Sequence, residues 1–184
     1  MNSLNFAPSL LVIVLICVVR DSNQYDYNGT LTKEYANFFF PISNSSAISL
    51  EYREIDAIDP MAFRGYFDVK KLDLSNNEIA NLPSEVFIDM HSLEELNLSD
   101  NKLTGISRNT FVYLHKLKKF SVQSNRIVNL DQYVFIGLSN LKVVCIGENP
   151  VMSLFPASVN RVCGANSGCS VQLTNSACSQ AQPG

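Results

Sequence analysis

Apolar residues recur along most of the chain at a fixed interval of 24 residues. The stretch LEELNLSDNKL, residues 93–103, has counterparts in VKKLDLSNNEI from Val69, LKKFSVQSNRI from Leu117 and LKVVCIGENPV from Leu141. Self-similarity at one constant period is the sequence signature of stacked-repeat architectures. We therefore predict a solenoid in which each repeat forms one coil.

The repeats can be superimposed from residue 45 onward. The fourth and sixth positions of each repeat are apolar, so they point to one face of a short strand, while the third, fifth and seventh positions point to the other face. Strands that lie one repeat apart must run parallel. An aromatic column follows on the returning, convex side, in segments that are too short and irregular for full helices. Its members are Phe63, Phe87, Phe111 and Phe135.

Asparagine occupies the ninth position of four repeats, directly after the strand. The column comprises Asn77, Asn101, Asn125 and Asn149, with Arg53 in the first repeat. An inward amide offers both a donor and an acceptor, so we expect the column to satisfy backbone groups of its own coil and of the next coil. We interpret it as a structural ladder rather than a binding site.

The consensus LxxLxLxxNxLxxLxxxxFxxLxx resembles the 24-residue leucine-rich repeat of extracellular proteins. The resemblance covers residues 45 to about 155, in four good coils and one degenerate first coil. Such domains are similar to the ectodomains of Toll-type receptors, to Slit-like proteins and to small leucine-rich proteoglycans. The resemblance implies an α/β-type repeat solenoid: a curved coil with short parallel strands on a protein-binding concave face and irregular loops or short helical turns on the convex face.

The ends of the chain differ from the repeats. The apolar run Leu10–Val19 stops at Arg20, which is too short for a membrane span of ~20 residues but fits a signal-peptide core of ~7–15 residues. We predict a signal peptide at residues 1–20, cut between about residues 17 and 23, a secreted product and no stable membrane insertion after cleavage. An uncleaved anchor is the alternative. Residues 21–44 are predicted to form an N-terminal flank and cap, in which the Phe38–Phe40 cluster covers the end of the core.

Four cysteines remain once the leader is removed: Cys145, Cys163, Cys169 and Cys178. An even number in a secreted chain favours two disulfides, with three possible pairings. We expect a cysteine-containing C-terminal cap and tail at residues 150–184, after repeats at residues 45–149. Cys145 is expected to bond a tail cysteine, and a disulfide-linked partner chain is the alternative. The spacing lacks a CxxC pair, which disfavours zinc.

The candidate partner-binding surface consists of the third, fifth and seventh positions of the central repeats. These residues are Lys71, Asp73, Ser75, Glu95, Asn97, Ser99, Lys119, Ser121 and Gln123. Lysine and glutamate pairs alternate between neighbouring coils, so the charges form either an epitope or a self-neutralising ladder. Glycosylation sequons fall at Asn28, Asn44 and Asn97. A glycan at Asn97 would obstruct the concave face.

The remaining chemistry is sparse. A net charge of -3 and a pI near 5.3 argue against a nucleic-acid partner. His91 and His115 lie one repeat apart without a patterned third ligand, so we predict no metal, no cofactor and no enzymatic activity. We expect a secreted binding module for an extracellular protein ligand or receptor. The alternative is a structural matrix component of the small leucine-rich proteoglycan type, with sulfation at Tyr25 or Tyr27.

Overall fold

A computed structural model reveals the path of the coil. It describes residues 29–42, 45–131, 133–135 and 137–151, together with the backbone of residues 170–172. Several predicted features lie outside the described residues. These are the signal peptide, Tyr25, Tyr27, the sequons at Asn28 and Asn44, and the tail cysteines Cys163, Cys169 and Cys178.

Short parallel strands form the concave side of the coil. The N-terminal flank supplies β1 (Thr30–Leu31), which pairs with β3 (Ala57–Ile58) in a separate two-stranded sheet. The main sheet has six strands in the order β2 (Ala47–Ser49), β4 (Lys71–Asp73), β5 (Glu95–Asn97), β6 (Lys119–Ser121), β7 (Val143–Cys145) and β8 (Ser170–Gln172). From β2 to β7 each residue faces the residue 24 positions later. The predicted repeat solenoid is confirmed.

The core lies between the sheet and the returning segments. The apolar residues at the fourth and sixth positions of each repeat are buried in every coil. Examples are Leu72, Leu74, Leu96 and Leu98. Between residues 50 and 131 the returning segments are turns and extended chain without a helix. Across the described ranges, no helix is long and apolar enough to cross a membrane.

The phenylalanine column forms a stacked spine beneath the convex surface. Successive rings from Phe63 through Phe87 and Phe111 to Phe135 have centroids 5.8, 6.3 and 6.0 Å apart. Phe120 from the sheet packs its edge against Phe111 with a centroid distance of 5.0 Å. The spine therefore joins consecutive coils through offset aromatic contacts, which stabilise more than their buried area alone.

The N-terminal flank packs against the first coil, and Phe40 is the member of the suggested phenylalanine cluster that contacts the core. Helix α1 spans Lys33–Phe39, and Thr32 caps it by accepting a hydrogen bond from the backbone N–H of Tyr35. Leu31 and Ala36 are fully buried in the core. All three rings of the expected Phe38–Phe40 cluster are partly exposed, and Phe40 packs against the core. The helix places Ala36, rather than an adjacent phenylalanine, on its inner face.

The asparagine ladder bonds its own coil, as predicted, but joins it to the preceding coil and not to the next one. The Nδ2 of Asn101 donates to Leu98 O in its own coil at 3.2 Å and to Leu74 O in the preceding coil at 2.9 Å. Its Oδ1 accepts from the backbone N–H of Ile79, also in the preceding coil, at 3.0 Å. Asn77, Asn125 and Asn149 repeat the pattern. The expected bonds to the next coil were wrong, because the side chain points back along the solenoid axis.

Candidate partner-binding surface

An open polar depression of about 260 Å³ lies on the concave face. Its walls come from three successive coils, which the parallel register holds side by side. The lining residues are Ser75, Asn76, Asn97, Ser99, Asp100, Lys119, Ser121 and Gln123. Six of the nine sequence-predicted surface residues therefore share this depression, and Lys71, Asp73 and Glu95 lie beside it on β4 and β5.

The serines form the floor of the depression rather than its accessible surface. Ser75, Ser99 and Ser121 are only 4%, 4% and 8% exposed. The hydroxyls of Ser99 and Ser121 lie 2.7 Å apart, and the Ser75 hydroxyl donates to Asp73 Oδ1 at 2.6 Å. A short side chain at these positions is covered by its neighbours on adjacent coils. The groups open to a partner are those of Lys71, Asp73, Glu95, Asn97, Lys119 and Gln123.

A hydrogen-bond network holds the side chains of two adjacent coils in place. Asp73 Oδ2 accepts from the Nδ2 of Asn97 at 3.0 Å, and Asn97 Oδ1 accepts from the backbone N–H of Ser99 at 3.1 Å. Asn97 is also the asparagine of the sequon, and its side chain is partly exposed. An N-linked glycan would join the same Nδ2 atom and leave one N–H for Asp73. The bond to Asp73 is therefore compatible with modification.

Two ion pairs connect the alternating charge bands. Lys71 Nζ lies 2.8 Å from Glu95 Oε1, and Lys118 Nζ lies 2.7 Å from Glu94 Oε2. The hydrogen bond with Glu95 raises the pKa of Lys71, and the hydrogen bond from Lys118 lowers the pKa of Glu94. Solvent-exposed pairs of this kind stabilise a fold little. The opposite charges of neighbouring coils therefore neutralise each other at these positions, as expected for a self-neutralising ladder.

Gln123 carries a polar atom that the sequence did not single out. Its Oε1 is buried and accepts no hydrogen bond from the described part of the chain. Buried polar atoms are almost always satisfied, so an acceptor without a partner is unusual. Because this oxygen is enclosed, a ligand in the depression reaches it only if the Gln123 side chain moves. The sequence gave no signal for this buried oxygen, because the burial of the seventh residue of a repeat depends on the side chains of the neighbouring coil.

Cys145 lies on β7, the strand next to the edge strand of the concave sheet. It is fully buried and disulfide-bonded, and its partner cysteine lies outside the described residues. The backbone of β8 pairs directly with β7, so the tail adds a strand at this edge. The sequence predicted a disulfide here but not a strand from the tail.

The two histidines do not form a recognisable metal centre. The His91 ring stacks on Phe67, with centroids 6.1 Å apart. Within the described residues, no group of three histidine, cysteine, aspartate or glutamate side chains is placed to hold a metal ion.

Comparison with known proteins agrees with this geometry. Residues 67–127 match the family model described as leucine rich repeat. Residues 67–127 are therefore leucine-rich repeats, and the coil that contains them has the leucine-rich-repeat fold. No curated protein sequence gives a match to the whole chain or any part of it.

Solved leucine-rich-repeat structures are similar to this chain over roughly two thirds of its length. A chain of the Drosophila Toll–Spatzle complex, in glycosylated form, is 25% identical with a TM-score of 0.61, over 70% of this chain and 18% of that one. The APL1 leucine-rich-repeat domain is also 25% identical with a TM-score of 0.61, over 65% of this chain and 31% of that one. The leucine-rich-repeat chain therefore spans less than a third of either matched chain.

A third similar structure bears on the class of partner. A chain of the TLR13–ssRNA13 complex is 24% identical with a TM-score of 0.59, over 69% of this chain and 18% of that one. This likeness concerns the fold alone. Since that protein is in complex with ssRNA13, the fold gives no support to the predicted exclusion of nucleic acid.

Proposed function

We propose that this leucine-rich-repeat chain is a secreted, non-catalytic module that binds an extracellular protein through its concave sheet. The observation that carries the proposal is the polar depression, to which three coils contribute side chains. Asp73 and Asn97 are already held by hydrogen bonds, so little side-chain entropy remains to be lost on binding.

The likeness to a chain of the Toll–Spatzle complex supports a protein as the class of partner. In that structure the similar fold occurs in a protein–protein complex. The present chain spans 18% of the matched chain, so the likeness supports the class of ligand and no particular ligand.

Secretion is supported by three features of different kinds. The apolar run Leu10–Val19 has the length of a signal-peptide core. Cys145 is disulfide-bonded, and disulfides persist in oxidising compartments such as the extracellular space. The sequon at Asn97 lies on an accessible side chain, as N-glycosylation of a secreted chain requires.

Affinity capture tests the proposed binding face. The tagged, secreted chain is used to recover proteins from the extracellular fluid of the cells that produce it, in parallel with Lys119→Glu and the exposed convex control Glu85→Gln. We expect a protein that wild type and the control retain and that Lys119→Glu recovers at least about tenfold less well, because the substitution reverses the charge at the depression. Equal recovery by all three chains would contradict concave binding.

The sequon requires a separate variant. Site-specific glycan mapping establishes whether Asn97 is modified, and Asn97→Gln removes the site without removing the amide. If the glycan is present, we expect Asn97→Gln to increase recovery of the partner, because the concave face is then unobstructed. Reduced recovery would contradict the obstruction and would show that the glycan or the Asn97 side chain takes part in recognition.

A further inference from the structure

The turn after the first strand of the main sheet exposes a tyrosine on a left-handed backbone. Tyr52 is 72% exposed and has φ 55°. The same eighth position is left-handed in the later coils, where it is filled by Asn76, Asp100, Ser124 and Glu148. Asparagine and aspartate are enriched in this conformation, whereas a bulky side chain is unusual there. An aromatic ring that gains no burial in return is better explained by recognition than by folding.

A second open depression, of about 230 Å³, lies beside this tyrosine on the lateral edge of the solenoid. It is lined by Tyr52, Glu54, Asn76, Asn77 and Glu78. The two coils are in direct contact here, since the backbone N–H of Glu78 donates to Ile55 O at 2.8 Å. The depression adjoins the concave one, because Asn76 lines both, and it combines an aromatic ring with two carboxylates from adjacent coils.

The charges around this depression are unevenly paired. Glu78 forms an ion pair with Lys102 in the third coil. Glu54 has no hydrogen bond or ion pair through its carboxylate with any described residue, and it too has a left-handed backbone, with φ 56°. The nearest cation along the chain, Arg53, lies over the Phe39 ring at 5.2 Å from its centroid. Of the two carboxylates, that of Glu54 therefore has no bonded cation among the described residues, and it lies two residues from an exposed aromatic ring.

We propose that this lateral depression binds an arginine side chain presented by the protein partner. A guanidinium group is planar, so it stacks on an aromatic face and bonds a carboxylate through two parallel N–H donors. Tyr52 supplies the ring and Glu54 the carboxylate, while Glu78 adds negative charge that Lys102 partly offsets. The inference rests on the proposed function, because a protein ligand is what carries the arginine.

The test uses an isolated probe on the folded, secreted chain. The protein is labelled with ¹⁵N and titrated with N-acetyl-arginine amide, and with the neutral isostere N-acetyl-citrulline amide as the control probe. We expect the arginine probe to shift the backbone amide resonances of Tyr52, Glu54 and Glu78, and the citrulline probe to leave them unchanged. Equal shifts from both probes, or shifts spread over unrelated exposed carboxylates such as Glu85, would overturn the proposal.

Two variants and a matched control separate recognition from folding. Tyr52→Asn removes the aromatic ring and introduces a residue that tolerates the left-handed backbone. Glu54→Gln removes only the negative charge. Each is expected to weaken arginine binding by about fivefold or more, whereas Glu85→Gln leaves it unchanged. Undiminished binding by either depression variant would overturn the assignment. Arginine binding without any captured protein would instead count against the proposed function, so the two failures are distinguishable.

Discussion

The Oδ1 atom of Asn101 accepts a hydrogen bond from the backbone N–H of Ile79, 22 residues earlier, at 3.0 Å. The Nδ2 atom of the same side chain donates to Leu74 O in that preceding coil at 2.9 Å and to Leu98 O in its own coil at 3.2 Å. One buried amide therefore satisfies backbone groups on two coils where the chain turns away from the sheet. Each coil of the repeat region is held to its predecessor in this way.

Removing this amide should destabilise the solenoid strongly. Asn101→Ala leaves several buried backbone groups without a partner, each at a cost of ~1–3 kcal/mol, so we expect the free energy of unfolding to fall by about 3–5 kcal/mol. Urea denaturation followed by circular dichroism measures the change. The control is Asn129→Ala, at an exposed position, which should alter stability by less than about 0.5 kcal/mol. A loss below about 1 kcal/mol for Asn101→Ala would contradict the ladder's role.

The phenylalanine spine makes a second prediction about stability. Phe111 is fully buried between Phe87 and Phe135, so Phe111→Ala opens a cavity and should cost about 3–5 kcal/mol. Phe67 is 51% exposed, and Phe67→Ala should cost about 1 kcal/mol or less. Urea unfolding of both variants compares the same substitution inside and outside the core. Similar losses of unfolding free energy in the two variants would contradict a stabilising role for the spine.

The partly buried hydroxyl of Tyr66 should make the stability of the fold fall at alkaline pH. Its hydroxyl donates to Phe40 O at 2.9 Å, and burial raises its pKa from 10.0 to about 12. The folded state favours the neutral phenol, so this stabilisation is complete below pH 10 and is lost as the pH rises from 10 to about 12. Tyr66→Phe should cost about 1 kcal/mol at neutral pH through the lost hydrogen bond.

The measurement is the difference in unfolding free energy between wild type and Tyr66→Phe across that pH range. Other groups that titrate at alkaline pH are common to both chains and cancel in the difference. We expect the advantage of wild type to shrink between pH 10 and 12. A constant difference would mean that Tyr66 has the same pKa in the folded and unfolded chains.

The repeat period was sufficient to predict the fold because it constrains every coil in the same way. The columns of Leu72, Leu96 and Phe120 are buried as expected, and the strands pair with an offset of one repeat. Structural features outside the repeats could not be predicted from the period. Leu31 and Ala36 close the core from a flank with no repeat, and β8 comes from a tail that the pattern does not reach.

The site was predicted less completely because side-chain access depends on neighbouring coils. The alternation of residues assigns Ser75 and Ser121 to the concave face, where both line the depression, but it does not reveal that both side chains are buried. Nor does it reveal the unpaired Gln123 Oε1. The left-handed backbone at Tyr52 likewise depends on the turn geometry rather than on residue type.

The concave-binding claim is tested most directly by site-specific photo-cross-linking. A photoreactive amino acid is placed at position 119, in the concave depression, or at position 128, where Val128 is 53% exposed away from that depression. The labelled chain is then exposed to the extracellular fluid used for capture. We predict that position 119 cross-links to the captured protein and position 128 does not. Cross-linking from position 128 without cross-linking from position 119 would contradict recognition through the concave sheet.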